Sequence, residues 1–174
     1  MLSIKPKKTI SAVVNAPPSK SYTNRALIIA SLADGKSVLK NPLFSDDTKF
    51  MISGLKKFGI KIEIKKDSII VYGTNGILNH PKGNIFVGNA GTTMRFLTTF
   101  ACLCEGIAII TGDERMKQRP IVDLIEGLRD AGVKLESNQG FPPVKVFGGN
   151  FEGGEIELKG NISSQYLSSI LMCS

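Results

Sequence analysis

The chain has no tryptophan, a single histidine (His80) and three cysteines, and aromatic residues make up only 7% of its 174 residues. Each scarcity closes a class of function. A metal centre of the nitrogen–sulfur type needs several His or Cys at short spacing, and Cys102, Cys104 and Cys173 contain no CxxC pair. An odd, small set of cysteines is also a poor disulfide framework, so a reduced cytoplasmic protein is expected, with no metal and no organic cofactor. The basic pairs Lys7-Lys8, Lys56-Lys57 and Lys65-Lys66 are not interleaved with aromatics. Nothing resembles a base-stacking surface, and no nucleic-acid partner is expected. No apolar run reaches the roughly 18 residues that would cross a bilayer. Met1 to Lys8 lacks the apolar stretch of a secretory signal, so no membrane partner is expected either.

What is present is an ordinary globular balance, 42% hydrophobic and 21% charged, with a net charge of +7. This length can bury a real core. Excess positive charge concentrates anions around a protein. With polymers and membranes set aside, a small anionic metabolite is the expected partner.

The chain repeats itself. Arg25 aligns on Arg95, Gly54-Leu55 on Gly127-Leu128, and Gly59-Ile60-Lys61-Ile62-Glu63 on Gly132-Val133-Lys134-Leu135-Glu136, roughly 70 residues apart each time. In the first copy, Thr9 to Asn15 reads as a strand ended by Pro17-Pro18. Ser19 then caps a helix carrying Ala26, Leu27, Ile29, Ala30 and Leu32, closed at Asp34-Gly35. A short strand over Ser37 to Lys40 leads to a helix capped by Ser45-Asp46-Asp47, with Phe50, Met51, Leu55 and Phe58 at helical spacing and Gly59 at its end. Strands over Ile60 to Ile64 and Ser68 to Tyr72 flank the turn Lys65-Lys66-Asp67.

The second copy predicts a helix over Gly91 to Cys104, a strand over Ile107 to Thr111, and a helix over Pro120 to Ala131 opened by its proline. Strands near Val133 to Glu136 and Val144 to Phe147 complete it. A third copy starts with a strand over Glu155 to Leu158 and a helix opened by Ser163-Ser164-Gln165, with Tyr166, Leu167, Ile170, Leu171 and Met172 as its apolar face. The fold class is therefore α/β, in repeated βαβαββ units: unit 1 over about 9–80, unit 2 over about 84–148, and the start of unit 3 over about 154–174. About two and a fraction of three units are present. The chain reads as truncated, with Leu167, Ile170 and Leu171 short of partners, which favours self-association.

The three helix starts carry the chemistry. A helix N-terminus offers unpaired N–H groups and partial positive charge, a ready anion seat. Lys20-Ser21-Tyr22-Thr23-Asn24-Arg25 adds an ammonium, hydroxyls and a guanidinium fork, although cations are disfavoured at that end of the dipole. Gly88-Asn89-Ala90-Gly91-Thr92-Thr93 has the composition of a phosphate cradle, but it is neither a P-loop nor GxGxxG. Arg115, Lys117 and Arg119 share a loop, where Arg119 suits a carboxylate clamp. Ser163-Ser164-Gln165 offers neutral donors. Taken singly, the first start is evenly balanced with an ordinary solvent-facing turn, the second reads more readily as a simple turn before a helix, the charged loop as a solvated one, and the third has plain capping as its alternative. Asp46 and Asp47 are read as capping residues, and Cys102 and Cys104 as core.

Together, the segments Lys20-Ser21-x-x-Asn24-Arg25, Gly88-Asn89-Ala90-Gly91-Thr92-x-Met94-Arg95, Gly112 with Arg115-Met116-Lys117-x-Arg119-Pro120-Ile121, and Ser163-Ser164-Gln165-Tyr166-Leu167 resemble the 5-enolpyruvylshikimate-3-phosphate synthases. The resemblance runs along essentially the whole chain. It implies two similar domains of three βαβαββ units each, of which residues 1–174 are part of the N-terminal one and the second is absent.

It also implies transfer of the enolpyruvyl group from phosphoenolpyruvate to the 5-hydroxyl of shikimate 3-phosphate. By the resemblance, Lys20, Ser21, Arg25, Ser163, Ser164 and Gln165 hold shikimate 3-phosphate, while Lys20, Gly91, Arg119 and Gln165 hold phosphoenolpyruvate. Asn89 and Thr92 support the loop, and Lys20, close to both ligands, is the catalytic candidate. The family's catalytic carboxylates come from the second domain, so no turnover is expected of this polypeptide alone, and the parent is expected to be monomeric. A non-catalytic phosphometabolite-binding fragment is the alternative. The UDP-N-acetylglucosamine enolpyruvyl transferases are more distant, because the loop Asp113-Glu114-Arg115-Met116-Lys117 carries no reactive cysteine.

Overall fold

Local chemistry starts and stops the helices. In a computed structural model that describes residues 6, 8–158 and 163–174, the Oγ of Ser19 accepts the N–H of Tyr22 at 3.4 Å and opens α1, Lys20–Leu32. β1 follows at once over Asp34–Lys40. Asp34-Gly35 thus begins a strand, and Ala33 is the cap of α1. Ser45 opens α2, Asp46–Lys57, through a reciprocal capping box. Its Oγ accepts from the N–H of Thr48, and Thr48 Oγ1 accepts from the N–H of Ser45. Asp46 and Asp47 supply the negative charge of the first turn, Lys56 and Lys57 the positive charge of the last. Gly59, at φ +90°, ends the helix as the sequence implies.

β2 (Lys61–Ile64) and β3 (Ser68–Thr74) form a hairpin, and β1 pairs antiparallel on the other side of β3. The second copy begins with β4, Ile85–Phe86, a two-residue strand that the sequence reading missed. It continues through α3 (Gly91–Ala101), β5 (Gly106–Thr111), α4 (Val122–Asp130), β6 (Lys134–Asn138) and β7 (Phe141–Gly148). Its sheet has the order β4-β5-β7-β6, with β4 parallel to β5 and the other pairs antiparallel. The first sheet, β1-β3-β2, has the same order without the edge strand. α5, Ser164–Leu171, opens the third copy with Ser163 as its cap.

Three expectations are corrected here. Thr9 to Asn15 forms no strand; Ile10, Val13 and Val14 lie exposed, with Val13 97% accessible. Glu155 to Leu158 likewise forms none. Both segments alternate or run apolar as strands do, but a strand exists only when a neighbour takes its hydrogen bonds. Pro120 does not open α4. It precedes the cap Ile121, whose N–H is taken by the carbonyl of Gly140 at 2.8 Å, so the helix begins at Val122. The reading of Met1 to Lys8 and residues 159–162 of the third unit fall largely outside the described residues.

The core surrounds α3. Every residue of this helix except Arg95 is buried, because α1, α2, α5, β5 and β7 all pack against it. A helix buried on nearly every side, its four threonines included, needs such surroundings. Phe96, Leu97 and Phe100 are fully enclosed, each worth about 1.5–3 kcal/mol of transfer free energy. The Phe100 ring meets that of Phe58 edge-on at 5.2 Å, tying the two copies together. Cys102, Cys104 and Cys173 are buried as free thiols; burial pushes Cys173 up to about 12 and Cys102 upward as well.

The repeat extends to atomic detail. A Cβ on Gly73 of β3 would collide with the carbonyl oxygens of Ala30 and Ala33 at the end of α1. One on Gly148 of β7 would collide with those of Ala101 and Cys104 at the end of α3. In each copy the last hairpin strand passes directly under a helix terminus, and only glycine permits that approach.

Candidate functional site

The first helix start lies on the surface, and its cation is already paired. α1 has no acidic residue in its own first turn. Lys20 instead contacts Asp47, in the first turn of α2, at 2.7 Å. Lys20 sits where a helix dipole disfavours a cation, and Asp47 offsets that penalty from a neighbouring helix. Both side chains keep part of their solvent exposure, 44% and 27%, so the pair is worth at most about 1 kcal/mol. The carbonyl of Asp47 also accepts the Thr93 hydroxyl at 3.1 Å, which anchors the start of α2 to the start of α3. Asp47 is thus more than the capping residue the sequence suggested.

Arg25 leans the other way. Its Nη1 donates to the carbonyl of Ser21 at 3.2 Å and its Nη2 to Ser168 Oγ of α5 at 3.0 Å, and its guanidinium lies 5.3 Å from the centre of the Phe96 ring. Ser21 itself is exposed. Asn24, next to Arg25, is fully buried, and its carboxamide has no partner among the described residues.

The second helix start is built from backbone. Ala90 caps α3 with no side-chain hydrogen bond, so the first N–H groups of the helix are left to whatever approaches them. Arg119, which can only donate, takes none of them but stands beside the terminus. A Cβ on Gly91 would stand 2.7–2.9 Å from the guanidinium atoms of Arg119, so the glycine makes room for the fork over the helix terminus. The approach is set by the loop after β5. The N–H of Asp113 bonds the carbonyl of Gly88 at 3.1 Å, and Asp113 Oδ1 accepts the N–H of Met116 at 2.9 Å, starting a 3-10 turn over Met116–Gln118. Arg119 ends that turn and donates to the carbonyl of Asn89 at 3.3 Å. Thr92 is buried beneath. Gly91, Met94, Arg95, Met116, Arg119, Pro120 and Ile121 line a small open cleft.

The third helix start closes against this cleft. Ser163 Oγ accepts the N–H of Gln165 at 3.2 Å, Ser164 is exposed, and its carbonyl takes the Ser168 hydroxyl at 2.8 Å. Gln165 Oε1 accepts from Arg95 Nη1 at 2.7 Å, and the Tyr166 hydroxyl donates to the carbonyl of Pro120 at 3.4 Å. The structure therefore joins Lys20 to Asp47, Arg25 to α5, Gly91 and Asn89 to Arg119, and Gln165 to Arg95. The sequence reading gave Arg95 no role, although its alignment with Arg25 was a signal. No group of His, Cys, Asp and Glu among the described residues could hold a metal ion, and none of the described helices is long and apolar enough to cross a membrane.

Fold and site together define an α/β domain of repeated units whose helix starts gather cations, hydroxyls and uncapped backbone N–H groups. Residues 4–174 match the family model of EPSP synthase (3-phosphoshikimate 1-carboxyvinyltransferase), and the chain belongs to that family. It is 45% identical over 170 residues to the 3-phosphoshikimate 1-carboxyvinyltransferase of Rhizobium etli, covering 97% of this chain and 40% of that one. The enzyme of Methanothermobacter thermautotrophicus is 41% identical over 175 residues, with 99% and 41% covered. The solved EPSP synthase of Acinetobacter baumannii superposes with a TM-score of 0.79 at 26% identity, over 92% of this chain and 37% of that one. The chain thus spans about 40% of the length of the curated relatives it matches.

Proposed function

We propose that this chain forms the substrate-positioning half of a site that moves the enolpyruvyl group of phosphoenolpyruvate onto the 5-hydroxyl of shikimate 3-phosphate. The enol ether carbon–oxygen bond forms, the carbon–oxygen bond to phosphate breaks, and inorganic phosphate leaves. One observation carries the reading: the Arg119 fork stands over Gly91 at a helix terminus that has no side-chain cap. Backbone N–H groups, a partial positive charge and a bidentate cation aimed at one place suit the carboxylate or phosphate of a small anion.

In this reading Lys20, Gly91, Arg119 and Gln165 take phosphoenolpyruvate, with Asn89 and Thr92 shaping the loop. Lys20, Ser21, Arg25, Ser163, Ser164 and Gln165 take shikimate 3-phosphate, and Lys20 is the catalytic candidate between them. Holding two crowded anions side by side removes both repulsion and orientational entropy from the barrier. Proton transfer at the hydroxyl and the methylene carbon needs carboxylates from outside these 174 residues. The units at 9–80, 84–148 and from 154 onward then form part of one N-terminal domain of a cytoplasmic enzyme.

Calorimetric titration of the chain with shikimate 3-phosphate tests the reading. Saturable, salt-sensitive binding that Arg25→Ala abolishes is the expected result. A folded chain that binds neither this ligand nor phosphoenolpyruvate would overturn the claim that this half-site is assembled on its own.

A further inference from the structure

Arg95 is the one residue of α3 that is not buried, and it spends its guanidinium within the protein. Its Nη1 donates to Gln165 Oε1 at 2.7 Å, and its plane lies 5.2 Å from the centre of the Tyr166 ring. Its Nε is sealed from solvent and has no partner among the described residues. Tyr166 is itself buried, and its hydroxyl reaches the carbonyl of Pro120, the residue after Arg119. Arg95 also lines the cleft that contains Gly91 and Arg119. The contacts therefore run as one chain from the Arg119 loop through Tyr166 and Arg95 to Gln165.

The chemistry of the pair forces an orientation. A guanidinium has donors and no acceptor, so only the oxygen of the Gln165 carboxamide can face it. The NH2 branch is turned away from Arg95, free to donate to something else. Left alone, a half-exposed glutamine samples several rotamers and both amide orientations; held by a charged donor, it loses that freedom before a ligand arrives.

We propose that Arg95 is a positioning residue for phosphoenolpyruvate. It fixes the Gln165 carboxamide with the NH2 group presented to the anion, and it adds a standing positive charge to the wall of the cleft. The inference rests on the reading of Gln165 as a ligand contact, and it names the group that makes Gln165 a donor.

Two measurements separate this role from simple attachment of α5 to α3. The first needs no ligand: the side-chain amide signals of Gln165, identified by their loss in Gln165→Glu, are followed by NMR in the wild-type chain and in Arg95→Met and Arg95→Lys. Arg95 as positioner predicts that both signals shift and exchange faster with solvent in Arg95→Met, and less so in Arg95→Lys. Unchanged signals in a folded variant would overturn the proposal.

The second measurement is phosphoenolpyruvate affinity. Gln165→Glu should keep or strengthen the link to Arg95, and so hold the thermal midpoint, while affinity falls about tenfold or more because a donor has become a carboxylate. Arg95→Met should lower the affinity as well, with Gln165 intact, and undiminished binding in that folded variant would sink the idea. If Arg95→Met fails to fold, Arg95→Lys and Gln165→Glu carry the same test. A wild-type chain that binds no phosphoenolpyruvate contradicts the functional reading, and the amide signals still decide whether Arg95 orients Gln165.

Discussion

The first and second copies share a scaffold and differ at their helix starts. Both press a glycine of the last hairpin strand, Gly73 or Gly148, against the carbonyls that end the first helix. Both pair their strands in the order first, third, second. Yet α1 begins with a serine cap, a lysine and an arginine on an exposed turn, whereas α3 begins with alanine and glycine, uncapped and buried. The first start draws its charge from its own side chains and pairs Lys20 with Asp47. The second keeps its backbone bare and borrows Arg119 from a loop about 30 residues away in sequence. One unit can thus yield two kinds of helix start, the first furnished by side chains and the second by backbone.

The largest effect should strike what the copies share. Gly73→Ala and Gly148→Ala each place a Cβ against backbone that cannot yield, so each should cost about 3 kcal/mol or more, read as a drop in urea midpoint. A large loss for only one of them would mean that the two helix–strand junctions are not equivalent. Gly91→Ala should act differently. The obstructed atoms are the far end of a flexible side chain, so the fold should persist while Arg119 is displaced and phosphoenolpyruvate affinity falls about tenfold. Retained affinity would show that Arg119 does not work from over this glycine.

Smaller effects sharpen the contrast in capping. Ser19→Ala removes the acceptor for the Tyr22 N–H and should cost about 1 kcal/mol in thermal or chemical unfolding, while Ala90→Gly at the uncapped start should cost nothing through capping, because glycine caps better than alanine. Equal losses would erase the distinction between a side-chain and a backbone seat. Smallest of all, Asp47→Asn releases Lys20 and removes a negative charge from its side, so shikimate 3-phosphate should bind the chain up to about fivefold more tightly. Weaker binding would assign Asp47 to holding Lys20 in place instead.

Much of this was legible locally. Ser19, Ser45 and Ser163 mark their helices because a hydroxyl at that position satisfies an N–H that no carbonyl can. The hairpin of β2 and β3 follows from alternation around Lys65-Lys66-Asp67. The failures share one cause. Thr9 to Asn15 and Glu155 to Leu158 have the composition of strands, and composition cannot supply the partner edge. Ile170 was expected to lack partners along with Leu167 and Leu171, but it is buried in the core; only Leu167 at 53% and Leu171 at 65% stay exposed. The face that α5 turns to α3 settles that, and helical spacing alone does not.

By itself, then, the sequence determined the repeat, the positions of the helix starts and the residue types gathered at them, because capping, turn and periodicity preferences act over a few residues. Only the tertiary structure decided which distant groups meet: Lys20 with Asp47, Arg119 over Gly91, Arg25 with Ser168, and Arg95 with Gln165. Those pairings depend on how α1, α3 and α5 pack against one another, and that packing is set by burial summed over the whole core.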